Sequence, residues 1–165
     1  MILQCYSIIN SNEVILLEVQ TKITTHIKAG STLLLIVLIS WIVTMIMLSP
    51  SGTIQDQLRQ TVADWQLFQI SFGIALAIAP AFLYLLITLT RYTTDQLDTW
   101  QIAGLTLAGF YLLCATVSYG SQLILLPYYL RQEMYSMAEI WFFPNENSIP
   151  YFVNQTGYAL WACSV

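Results

Sequence analysis

Charge is scarce in this sequence and unevenly placed. Asp, Glu, Lys and Arg make up 8% of its 165 residues, against about 25% in an average soluble domain. Neither these residues nor histidine occur between Ala29 and Gln55, between Trp65 and Thr90, or between Thr99 and Leu130. A hydrocarbon core about 30 Å thick calls for stretches of at least about 18 uncharged, apolar residues, and a soluble core has no need of three. The expectation is an all-α integral membrane bundle.

Other scarcities narrow the chemistry. Five basic residues scattered over the loops make no polybasic patch, so nucleic acid is not an expected partner and the lipid bilayer is. Membrane enzymes, proton-coupled transporters and haem proteins place ionisable groups inside their spans, and the three runs have none. The only histidine, His26, falls outside them, so one chain cannot build a bis-His haem or a His-rich metal site. Cys5, Cys114 and Cys163 share no ligand spacing and read as small hydrophobes or free thiols. No G-x-S-x-G, H-E-x-x-H or phosphate-cradling glycine loop occurs. Glu13 with Glu18, and Asp95 with Asp98, are paired acids that read as caps and solvated ends. No catalytic residue, cofactor or metal is therefore expected. Lys22 and Lys28 lie just before the first run and no small-x-small cleavage site follows it, so that run is expected to remain as an anchor.

What is present divides the chain into seven segments. Residues 1–29 carry an i, i+4 ridge of Ile15, Val19, Ile23 and Ile27 beside Glu18 and Lys22, and read as an amphipathic segment leading into the membrane. The chain's true start could fall downstream of Met1. Transmembrane helix 1 covers 31–48 and a short interfacial helix 53–64. Helices 2 (65–91) and 3 (94–128) are joined by a link short enough to force an antiparallel hairpin, with Thr93 to Gln96 fitting a capping box. A second interfacial helix is expected over 130–143, and the start of a fourth span over 150–165. From Tyr151 onward only 15 residues remain, which reach about 22 Å at 1.5 Å each. A chain cut short within a longer bundle is the expectation.

Inside the spans the informative residues are small or polar. Ser71, Ala75 and Ala79, and beside them Gly73, Ala77 and Ala81, form small-xxx-small ridges, as do Gly104, Ala108 and Ala115. Pro80 is a candidate kink because it cannot donate to the carbonyl of Leu76. The run Ser118-Tyr119-Gly120-Ser121-Gln122 interrupts span 3, and Ser118 and Gln122 share a face with Tyr111 and Ala115. Aromatic belts at Trp65 and Tyr92, and at Trp100 and Tyr128, set depth. Aligning them puts residue 72 level with 120 and residue 82 level with 110. Gln69 or Ser71 is then expected to touch Ser121 or Gln122, with Gly120 allowing close approach.

The functional expectation is a non-catalytic packing or subunit module, or a fragment of a longer bundle. Its further partners would be membrane helices from the same chain beyond 165, from another copy, or from another subunit. The alternative is a transporter, channel or receptor for a small neutral solute held by the polar cluster between helices 2 and 3. A membrane enzyme or sensor input domain would need residues beyond Val165. Lys22, Lys28 and Arg91 on one side against Arg59 and Arg131 on the other favour a cytoplasmic N-terminus. The layout is common among small bacterial multi-spanning proteins, so the bacterial plasma membrane is the expected location.

Overall fold

The computed structural model describes residues 2–93 and 96–164, with side chains from Gln20 onward. Among them the regular structure is all helical, and three helices are long and apolar enough to cross a membrane: Gln20–Leu48, Trp65–Thr93 and Thr99–Arg131. The seven helices in chain order are α1 (Ile2–Leu48), α2 (Ile54–Ala63), α3 (Trp65–Leu76), α4 (Ile78–Thr93), α5 (Thr99–Arg131), α6 (Tyr135–Trp141) and α7 (Ile149–Ala162).

The division expected between residues 29 and 31 does not exist, because α1 runs through Ala29 and Gly30 unbroken. Nothing there breaks a helix. Thr24 and Thr25 turn their hydroxyls back onto the carbonyls of Gln20 and Thr21, and Gly30 lies against the ring of Tyr84. The upstream part of the expected ridge, with Glu13, Glu18 and Cys5, lies outside the described side chains.

The short helix α2 begins at a capping box in which Thr53 and Asp56 satisfy each other's backbone amides. These bonds from Thr53, with Arg59 one turn on, hold the Asp56 carboxyl below its ordinary value. Span 2 is two helices interrupted at Ala77, one turn before Pro80. The Ala77 amide turns back to Ile74 at 3.0 Å, while Ala81 reaches Ala77 at 3.2 Å. The lost proline donor is thus absorbed by a tighter turn. The box that caps α5 is Asp98–Gln101, since Thr93 is the last residue of α4; Asp95 lies outside the described residues.

α5 is the hub. α3, α4, α6 and α7 pack against it, and α1 packs along α3 and α4. None of the most apolar 18-residue stretch of α1 is buried, so α1 sits at the edge of the bundle. Of the two ridges in span 2, Ser71, Ala75 and Ala79 are fully buried, whereas in the other Gly73 and Ala77 are exposed and Ala81 is buried. The hairpin register follows from ring contacts: Phe72 meets Tyr119 and Phe82 meets Tyr111, each within one residue of the level set by the aromatic belts.

Candidate functional site

The polar run of α5 faces inward. Ser118, Tyr119, Ser121 and Gln122 are all buried, and Gln122 has no exposed surface. Positions 118, 121 and 122 share a face because residues three and four apart on a helix lie over one another. Their hydrogen bonds form a chain. The Gln122 amide donates to the Trp141 carbonyl at 2.7 Å and to Ser121 Oγ at 3.1 Å, and accepts from the Phe143 amide at 3.0 Å. Ser121 in turn donates to the Ser118 carbonyl at 2.8 Å. Only one orientation of the Gln122 amide serves both backbone partners, since Trp141 needs a donor and Phe143 an acceptor.

The partner of this cluster is therefore a segment of the chain itself, residues 141–143. The cross-span contact expected from Gln69 is not made. Gln69 is exposed, and the Ser71 hydroxyl is hydrogen-bonded to Thr44 of α1 at 3.0 Å. Two residues on a helix are about 200° apart around the axis, so Gln69 points outward once Ser71 points in. Gly120 is no close-approach point either, because a Cβ there would meet nothing within 4 Å. The close approaches are at α7. A Cβ on Gly157 would lie 2.9 Å from Cys114 Cβ, and one on Gly104 would lie 2.9 Å from the Ser164 carbonyl.

What Gln122 holds is the non-helical connector between α6 and α7. Phe142 is fully buried and stacks on Phe68, while Phe143 packs on Phe72, Tyr119 and Tyr151. These contacts bring the connector down to the level of Phe68 and Phe72, in the first two turns of α3. In a bilayer, backbone off the helix at that depth needs protein partners, and the connector has them. Asn145 donates to the Glu139 carbonyl at 3.0 Å and accepts from Asn147. Ser148 caps α7 by accepting from Tyr151.

This arrangement sets where the last helix starts. α7 has 14 residues, about 21 Å, and starts near the depth of Gln122 instead of at the surface. Pro150, Asn154 and Gly157, at i, i+4 and i+7, form its buried edge along α5. Ser164, just past its last residue, lies beside Gly104 of α5. The sequence reading missed Trp141, Phe142 and Phe143. Their signal was an aromatic triplet running into Pro-Asn, read as the stop of a surface helix over 130–143; that helix is only Tyr135–Trp141.

Two further features bear on chemistry. His26 is not isolated before the spans: it lies in the apolar helix Gln20–Leu48 and its Nδ1 is 2.8 Å from the Tyr84 hydroxyl of α4. Where α1, α4, α5 and α7 meet, there is a cavity of about 110 Å³ lined by aliphatic and aromatic side chains that include Trp41, Phe82, Tyr111 and Trp161. The indole N–H of Trp41 is buried and has no acceptor among the described residues. Ser118 Oγ and Asn154 Oδ1 are likewise buried without a partner there, and Tyr119 and Tyr158 share a hydrogen bond at 3.2 Å. Cys114 and Cys163 are free thiols.

No known family, curated protein or solved structure matches the chain. The functional reading rests on this geometry alone.

Proposed function

We propose that the chain is a multi-pass integral membrane protein acting as a non-catalytic packing or subunit module, its polar cluster serving as internal structure. The observation that carries this reading is the complete use of Gln122. A solute site keeps its polar groups turned to a space that a ligand can enter, whereas this amide is fully buried and spends its donors and its acceptor on the chain. The neighbouring rings of Phe72, Tyr119 and Phe143 fill the rest of the contact. α1 supports the subunit role: Leu35, Ile36, Ile39, Ile46 and Met47 are each more than half exposed along one edge of the bundle, a surface suited to lipid or to further membrane helices. The excess of Lys22, Lys28 and Arg91 over Arg59 and Arg131 favours a cytoplasmic N-terminus in this reading, with the bacterial plasma membrane as the proposed location.

The test is cysteine accessibility in membranes. Single cysteines at 118, 121 and 122, in a chain whose native cysteines are replaced by serine, should resist a water-soluble maleimide added from either side. Rapid labelling at 118 or 122 would transfer the cluster to the alternative reading, a transporter, channel or receptor for a small neutral solute. Two observations favour that alternative: Trp41 offers an unused donor near an apolar space, and Ser118 Oγ and Asn154 Oδ1 are buried without a partner among the described residues.

A further inference from the structure

The end of the bundle formed by α2, α6 and the last turn of α5 carries a groove that the internal packing does not use. One hollow, of about 380 Å³, is lined by Gln55, Leu58, Arg59, Val62, Leu130 and Tyr135. The next, of about 290 Å³, shares Val62, Leu130 and Tyr135 and adds Trp65, Pro127 and Arg131. Both hollows approach or fall within the size range of small-molecule sites, and they adjoin through shared walls, with Arg59 lining the first and Arg131 the second.

The charges in this groove are unusual for their surroundings. The two loops and short helices on this side carry Asp56, Asp64, Glu133, Glu139 and Glu146, yet both arginines on this side line the groove. Neither makes an ion pair among the described residues. Asp56, one turn before Arg59, feels its charge, but its carboxylate is engaged at hydrogen-bond distance by the backbone and hydroxyl of Thr53, at 3.1 and 2.6 Å. The walls common to both hollows include the apolar Val62 and Leu130, and Trp65 marks the polar–apolar boundary of the spans.

Two available guanidiniums beside apolar walls, at headgroup level, match one chemistry. We propose that this groove holds a membrane phospholipid, with Arg59 and Arg131 on its phosphodiester and its glycerol and upper acyl carbons on Val62, Leu130 and Pro127. Guanidinium forks bind phosphate oxygens through paired, charge-assisted hydrogen bonds, and Tyr135 and Gln55 add hydroxyl and amide donors at the rim. The apolar walls distinguish a lipid from free phosphate, which would gain nothing from them.

The test uses the full chain in a neutral detergent, titrated with phosphatidylglycerol, with diacylglycerol of the same acyl chains, or with inorganic phosphate, and read by native mass spectrometry. Phosphatidylglycerol should stay bound, and diacylglycerol should bind about tenfold or more weakly, as expected for losing charge-assisted contacts. The double variant R59Q/R131Q should lose the phosphatidylglycerol preference, and R59K/R131K should recover part of it, since lysine keeps the charge but not the fork. Equal retention of diacylglycerol by the unsubstituted chain would overturn the proposal, as would undiminished preference in R59Q/R131Q. Displacement of the lipid by millimolar inorganic phosphate would replace the lipid with a free anion and overturn it too. The comparison of lipids on the unsubstituted chain decides the question even if the double variant does not fold.

Discussion

Replacing Gln122 with leucine gives the sharpest perturbation, because it keeps the volume and removes only the amide. The Trp141 carbonyl and the Phe143 amide then lose their partner at a depth where water does not compensate. Each stranded backbone group costs about 1–3 kcal/mol. Hydrogen bonds between membrane helices average only about 0.6 kcal/mol, because their groups find other partners when separated. Here the connector is fixed by Phe142 and Phe143 and has no second partner to turn to, so the cost should lie nearer the first scale, at about 3 kcal/mol in total. Gln60 provides the control. Its amide also grips backbone, donating to the Ser51 carbonyl at 2.9 Å and accepting from the Ser51 amide at 3.1 Å, but in an exposed loop. Gln60→Ala should cost no more than about 0.5 kcal/mol, because water replaces it. Denaturation of the detergent-solubilised protein by added SDS reads both. Cys114, which lies under Gly157, adds a local readout in a C5S/C163S background: Gln122→Leu should speed its labelling as α7 loosens. Equal denaturation midpoints for the leucine variant and the unsubstituted chain, with unchanged Cys114 labelling, would refute the reasoning.

Three other outcomes follow from the same contacts. Gly157→Ala should destabilise the α5–α7 pair by about 1–3 kcal/mol through overpacking against Cys114, whereas Gly120→Ala should be neutral or stabilising by up to about 1 kcal/mol, since its Cβ meets nothing and glycine is the poorer helix former; SDS denaturation reads both. A double-mutant cycle of Tyr119→Phe and Tyr158→Phe should return a coupling of about 0.6 kcal/mol, and a coupling near zero would remove that bond from the account. Asp56 has its carboxyl lowered from the ordinary 3.8, so the ionised form is favoured in the fold. Its contribution to the α2 cap is present above that ordinary value and disappears as pH falls through the lowered one; Asp56→Asn should abolish this acid sensitivity in amide exchange of α2.

The parts of the architecture readable from the sequence were those set by composition and depth. Uncharged runs identified three long helices, and the aromatic belts set a hairpin register that the Phe72–Tyr119 and Phe82–Tyr111 contacts match to within one residue. Facing was readable in part. Ser118, Ser121 and Gln122 had to share a face, but the choice between Gln69 and Ser71 needed their angular separation as well as their depth. The two small-residue ridges did not decide it, since Ser71 continues into Ala75 and Ala79 while Gln69 continues into Gly73, Ala77 and Ala81. The partner of Gln122 was not readable, because it is backbone, and backbone atoms at Trp141 and Phe143 carry no mark in a sequence. The starting point of α7 was not readable for the same reason. A span is expected to start at the membrane surface, whereas this helix starts from a connector held at depth by a side chain of another helix. The boundary expected near residue 30 rested on Lys28, and a lysine with a long stem does not end a helix.

The central claim is that the polar run of α5 is a filled contact holding the α6–α7 connector. Amide hydrogen exchange at Phe143, measured in bilayer nanodiscs, tests it most directly, because that N–H is donated to Gln122 Oε1 at 3.0 Å. The account predicts an amide protected as strongly as its neighbours in α7, with protection lost in Gln122→Leu. Exchange at the rate of an open surface loop in the unsubstituted protein would contradict it.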